Sequence, residues 1–333
     1  MQTVKLVTRT RIGNELADER PSVATGPGTW VAGVPDTGAT PRRQGGTAVC
    51  RLIGWTSARP RTLAQLVGED RIDALVTDVS RLHPDGWGAA LSDRTDGGGA
   101  DLRVERSTEG ALRDPGFLTV ARSVPAQAAV LHLRRATAGY AVEPVNTHPF
   151  VFDGWAFAHN GTIPEAERID GLLGGEWRAR RAGTTDSERY FLCVLERMEK
   201  EGDLVDGIRA AVADIRSECG LGSMNAMLLG PGVLVVVHAR AGTVPPLDIL
   251  LETVGGDVAL LPPEHTDSYY DLRYRAGADS IVVSSTGMPD ASWEPLAEES
   301  VLVADRATGT VAVWPLAGGA PVVTIDHPEW PGS

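Results

Sequence analysis

The sequence predicts an α+β domain with mostly antiparallel sheets, and two observations carry that expectation. Short strand-like apolar runs come first, two amphipathic helices follow, and strands return after them, the order of a layered α+β domain. No internal repeat and no second domain is apparent after Cys50, so one large domain accounts for the ordered chain.

The elements follow in order. Residues 50–55 read as a short buried strand. Helical apolar spacing covers 62–67 and 72–82. Asp85-Gly86-Trp87-Gly88 is a turn into a strand running through Leu91. A Gly/Asp-rich hairpin at 94–100 returns through 102–104. Residues 117–124 are helical, and 128–133 and 155–159 are strands, the second ending in Asn160-Gly161. Thr185 opens a helix as its cap, with Glu188 placed to reach back in a capping box. Phe191, Val194, Leu195 and Met198 then share one face. A second helix spans 204–219, with Leu204, Val205, Ile208, Val212 and Ile215 inward and Gly220 as its stop. Strands are expected at 225–229, 233–238, 258–261, 280–284, 300–304 and 311–314. The Pro/Gly-rich residues 315–333 read as a loose tail.

Composition narrows the function. Hydrophobic residues make up 42% and charged residues 23%, as in soluble globular proteins. A net charge of −13 argues against nucleic acid or an anionic membrane as partner, since both need a basic face. Cys50, Cys193 and Cys219 form neither a disulfide framework nor a CxxC zinc pattern, which points to a reducing cytoplasm. No apolar run reaches the roughly 18–20 residues of a membrane span, and residues near Met1 lack an apolar signal core.

Residues 1–49 are rich in Thr, Arg, Gly and Pro without sustained periodicity. Three readings stand open. The segment is a disordered extension; or translation starts at Val49, through a GTG codon, with Gln44-Gly45-Gly46 encoded by a ribosome-binding stretch; or it is a propeptide cleaved at Val49–Cys50.

Several motifs recur in a definite order: Cys50-Arg51-Leu52-Ile53-Gly54-Trp55, Asp85-Gly86-Trp87-Gly88, His132-Leu133-Arg134-Arg135-Ala136-Thr137, Asn146-Thr147-His148-Pro149-Phe150, Ala158-His159-Asn160-Gly161 and Thr185-Asp186-Ser187-Glu188. Together they resemble the class II glutamine amidotransferases, which are N-terminal-nucleophile hydrolases. The resemblance runs from Cys50 to about Trp314 and is strongest through Glu188. The subgroup it is most similar to is the stand-alone bacterial one, which includes the γ-glutamyl hydrolase of ergothioneine synthesis. It implies a four-layer αββα sandwich over 50–314.

The resemblance also assigns roles. Cys50 is the nucleophile, provided it is the first residue of the mature chain. A thiol of pKa about 8.5 needs a base, and an α-amine of pKa about 7.7–8.0 is suited to that, whereas a peptide nitrogen is not. The Asn160 side-chain amide and the Gly161 N–H are the oxyanion donors, Gly permitting close approach and positive φ. Arg134 grips the substrate α-carboxylate with Thr137 assisting, and Asp186 pairs with the α-ammonium. Ala138 stands where many members carry a further polar residue. His159, His148 and the Asp85–Gly88 turn read as structural, Cys193 as core and Cys219 as inert.

The expected activity is hydrolysis of a γ-glutamyl amide, glutamine or a conjugate, through a thioester on Cys50, with no metal or organic cofactor. A synthase receiving ammonia would be a separate subunit, because only a short tail follows Trp314. Residues 51–60, 82–86 and 140–145 would meet the leaving group. The alternative is a non-catalytic γ-glutamyl-binding or regulatory subunit, which follows if the Cys50 amine is never freed.

Overall fold

The computed structural model describes residues 50–94, 100–136, 140–266, 268–285, 290–327 and 329–330. In chain order, β1 (Arg51–Arg61), β2 (Trp87–Arg94), β3 (Ala100–Ser107) and β4 (Ala126–Leu133) enter a first sheet. Next, β5 (Phe150–Phe152), β6 (Trp155–Asn160), β7 (Asn225–Gly230) and β8 (Val233–His238) enter a second. Then β9 (Arg273–Ala276), β10 (Ser280–Ser284) and β11 (Glu294–Pro295) return to the first, and β12 (Ser300–Asp305), β13 (Val311–Pro315) and β14 (Val323–Ile325) complete the second. The strand orders are β11-β9-β10-β1-β4-β2-β3 and β14-β13-β12-β8-β7-β6-β5. Every pairing is antiparallel.

Alternation along the strands builds the layers, because successive side chains point to opposite faces. In β8, Val233, Val235 and Val237 face the outer helical layer while Leu234 and Val236 face the other sheet. In β1, Leu52 faces between the sheets, whereas Ile53 and Trp55 face outward. Small inner residues such as Ala90, Ala128, Ala156 and Ala158 fill the space between sheets. The outer face of the first sheet is covered by α1 (Leu63–Val67), α2 (Glu69–Ala74) and α3 (Pro115–Ser123). That of the second is covered by α4 (Ile169–Leu172), α5 (Gly175–Ala179), α6 (Asp186–Glu201) and α7 (Leu204–Cys219). The result is the expected αββα sandwich.

The two central helices fall where the sequence puts them. Asp203 caps α7 at Val205 and Asp206, and Gly220, at φ 88°, ends it. Cys193 and Cys219 are buried in that layer. The capping box at α6 is half formed. Thr185 Oγ1 accepts from Glu188 N, but the Glu188 carboxylate reaches further back, to Ala182 N (2.8 Å) and Gly183 N (2.7 Å). Two donors rather than one are thereby satisfied.

Three expectations are corrected. The 72–82 helix is not uniform: α2 passes into a π turn (Leu75–Val79) and a 3₁₀ turn (Ser80–Leu82). The strand expected at 258–261 is a 3₁₀ turn (Val258–Leu260) after α8 (Leu247–Thr253). Asp257 Oδ1 accepts from Ala259 N and fixes that turn, while Gly255 and Gly256 adopt positive φ just before it, so no neighbouring strand is met. The C-terminal stretch is not loose in its described part. Residues Val323–Ile325 pair with β13, and Trp330 is buried with its Nε1–H donated to Arg306 O. The 1–49 segment and the tip of the 94–100 hairpin lie outside the described residues.

Candidate active site

The ends of β4 and β6 and the start of α6 meet at Cys50. The antiparallel register pairs Arg51 with Leu133, which sets Cys50 beside Arg134 where β4 stops. From the second sheet β6 ends at Asn160, and α6 begins at Asp186. Cys50, Arg134, Gly161 and Asp186 line one cavity with Tyr140, Asn146, His148 and Ser187. Thr137 and Ala138 lie outside the described residues.

Asn160 ties the two sheets at this point. Its Oδ1 accepts the Cys50 backbone N–H at 3.3 Å. Because that N–H can only donate, the side-chain orientation is fixed, and Nδ2 becomes a buried donor without a hydrogen-bond partner among the described residues. Gly161 is required by space rather than by positive φ: a Cβ there would lie 1.8 Å from Ser223 O and 2.8 Å from His159 Nε2. His159 supports this corner, its Nε2 facing Ser223 O and its Nδ1 facing Ser187 Oγ, each at 2.9 Å.

Asp186 is anchored from below. Its Oδ2 accepts Ile163 N at 3.0 Å, and its Oδ1 accepts Ser187 N at 2.8 Å. The loop leaving Gly161 and the start of α6 are therefore one hydrogen-bonded unit. Arg134 is buried and donates to Asp85 O (3.3 Å) and Ala141 O (3.2 Å), two of the five N–H donors a guanidinium carries.

The Cys50 thiol lies 3.5 Å from Arg135 O, its acceptor. Burial pushes the thiol up to about 11, against the opposing pull of that hydrogen bond and of the Arg134 charge. In the continuous chain, then, little thiolate exists near neutrality. Burial also pushes Tyr140 up to about 12 and holds His148 well below the usual imidazole range. The His148 ring packs at a tilt on His132, with centroids 4.2 Å apart, and edge-on to Phe150 at 4.7 Å.

The Asp85–Gly88 turn does more than pack. Asp85 Oδ2 accepts Ala136 N (2.8 Å), Arg134 N donates to Gly86 O (2.8 Å), and Asp85 N donates to Arg134 O (3.1 Å). These bonds fix the peptide whose carbonyl receives the Cys50 thiol. Sequence reasoning singled out the turn but missed this duty, since the acceptor is a carboxylate and the donor a backbone N–H about 50 residues away.

A comparison of sequences decides the family. The sequence profile described as glutamine amidotransferases class-II matches residues 73–306, which include Arg134, Asn160, Gly161 and Asp186. The chain belongs to the class II glutamine amidotransferases. Among curated relatives, the glutamine–fructose-6-phosphate aminotransferase [isomerizing] of Agrobacterium fabrum is 27% identical over 258 residues, covering 75% of this chain and 38% of that protein. That of Brucella abortus biovar 1 is 27% identical over 212 residues, covering 62% of this chain and 33% of its own. This amidotransferase chain thus spans 33–38% of the length of these curated relatives. Its fold is shared with a glutamine aminotransferase class-II domain protein from Silicibacter pomeroyi, at TM-score 0.52 and 20% identity over 81% of this chain and 100% of that one. It is shared too with glutamine phosphoribosylpyrophosphate amidotransferase from B. subtilis, at TM-score 0.52 and 15% identity over 81% and 50%.

Proposed function

We propose that the chain hydrolyses a γ-glutamyl amide, with Cys50 as nucleophile once its α-amine is free. The observation that carries this is the Asn160 amide, whose carbonyl holds the Cys50 nitrogen while its N–H₂ stays buried and open. One side chain then orients the base and offers a donor to the oxyanion. Gly161 N–H is the second donor, Arg134 takes the α-carboxylate with Thr137 assisting, and Asp186 takes the α-ammonium.

In this mechanism the free Cys50 amine accepts the thiol proton, and Sγ bonds to the γ-carbon. The amine passes that proton to the leaving nitrogen as the C–N bond breaks, giving a γ-glutamyl thioester. Water, deprotonated by the same amine, attacks the thioester, and the thiolate leaves and is reprotonated as glutamate departs. A free amine relieves the raised thiol pKa by taking the proton a few ångströms away without needing bulk solvent. All three cysteines are free and buried, which supports a reducing, cytoplasmic setting. No helix among the described residues is long and apolar enough to cross a membrane.

The substrate is glutamine or an N-substituted γ-glutamyl conjugate. Side-by-side turnover of glutamine and γ-glutamyl-N-alkylamides by a chain beginning at Cys50 separates these: preference for the alkylamides supports a conjugate hydrolase, and preference for glutamine contradicts it. A second reading, a γ-glutamyl-binding or regulatory subunit, is favoured by the thiol held up to about 11 and the amide nitrogen at Cys50 in the continuous chain. The intact mass of protein made from its native gene discriminates, since a mature mass starting at Met1 supports binding without turnover.

A further inference from the structure

A second cavity, of about 140 Å³, opens where β3 and β5 form the edges of the two sheets. Phe150, Phe191 and Leu192 give it an apolar wall. Two guanidiniums line it. Arg106, from β3, is exposed and has no ion-pair or hydrogen-bond partner among the described residues. Arg180, just after α5, lies over the rings of Phe152 (4.6 Å) and Trp177 (4.3 Å), and its ion-pair partner Glu176 is largely in solvent. The acid that also lines the cavity, Glu188, accepts the N–H groups of Ala182 and Gly183 and forms no ion pair with either arginine among the described residues. Two guanidiniums and one carboxylate line the cavity, and in a chain of net charge −13 that excess of one positive charge sets it apart from the surrounding surface.

We propose that this cavity binds a small monocarboxylate with an apolar, aryl-sized body. Arg106 takes the carboxylate, for which a guanidinium offers two parallel N–H donors. Arg180, fixed by its rings, closes the polar end. The body lies on Phe150, Phe191 and Leu192, where burial of an aromatic ring provides the affinity. The site is distinct from the Cys50 cavity. Val145, Ala182 and Glu188 face this one, while Asn146, His148, Thr185 and Asp186, on the same two segments, face the other.

Calorimetric titration of the 333-residue chain with 3-phenylpropionate, and with its uncharged amide as control, tests the site. Saturable binding of the carboxylate but not the amide is expected, weakened about tenfold in Arg106→Gln and in Arg180→Ala. Arg134→Ala should leave it unchanged, because Arg134 belongs to the other cavity. Three results would overturn the assignment: no saturable binding, equal binding of the amide, or loss in Arg134→Ala with none in Arg106→Gln.

Discussion

At Cys50 the side chain and the backbone nitrogen are held by different partners: Sγ faces Arg135 O, and N faces Asn160 Oδ1. In the proposed mechanism, removing the Asn160 amide takes away one oxyanion donor and the group that orients the nitrogen. Asn160→Ala in a chain beginning at Cys50 should lower kcat about 10²–10³-fold with a smaller change in KM, read from steady-state glutamate release. Asp85 acts one step further out. Asp85→Ala leaves Ala136 N–H without an acceptor and should lower kcat about tenfold, whereas Asp85→Asn, whose Oδ1 still accepts, should restore most of it. Equal losses in both variants would show that the carboxylate charge, not the hydrogen bond, matters. That Cys50, Arg134, Asn160, Gly161 and Asp186 would come together was legible in the sequence, because each residue type carries its own chemistry and the segments keep a recognisable order. The Asp85–Ala136 bond was not legible, since a backbone donor leaves no mark on residue type. Gly161 was legible as a necessary glycine, but for the wrong reason: Ser223 O, 62 positions on, excludes any Cβ.

At the scale of elements, the start of α6 couples the layers. The Glu188 carboxylate satisfies two N–H groups in the turn before the helix, and Asp186 satisfies Ile163 N in the loop after Gly161. Glu188→Ala strands two donors, one of them buried, and should cost about 2–4 kcal/mol in a denaturant titration, with KM for the γ-glutamyl substrate rising because Asp186 loses its support. A loss below about 0.5 kcal/mol would mean that water replaces the carboxylate. The α6 and α7 helices were readable because apolar spacing, caps and a stop residue agree. The run 258–261 misled because four apolar residues look the same in a strand and in a capped turn; Gly255-Gly256 before it and Pro262-Pro263 after it were the signal. Strands β5, β9, β11 and β14 have two to four residues each and lie at or near sheet edges, too short to show a period.

For the whole molecule, the stacked sheets bury titratable groups in their neutral forms. Six histidines, His83, His132, His148, His159, His238 and His265, are held below their ordinary range by burial. Below pH 6.5 the unfolded chain binds protons that the folded chain refuses, so stability is present above that value and lost as pH falls, by up to about 1.4 kcal/mol per pH unit per group. The cysteines act with opposite sign. Cys50 is pushed up to about 11 and Cys193 to about 12, so above pH 9 the unfolded chain releases protons that the folded chain keeps, and stability declines through that range. Chemical denaturation from pH 4 to 11 should trace a plateau between about 6.5 and 9 with a fall on both sides; a curve flat down to pH 4 would contradict neutral burial of the histidines.

The measurement that bears most directly on the nucleophile is glutamate release from γ-glutamyl amides by two forms of the protein, one beginning at Cys50 and one carrying residues 1–49 intact and verified by mass. Turnover confined to the form beginning at Cys50, and abolished there by Cys50→Ala, is the expected result. Equal turnover by the extended form, or turnover surviving Cys50→Ala, would contradict an N-terminal cysteine as nucleophile and base.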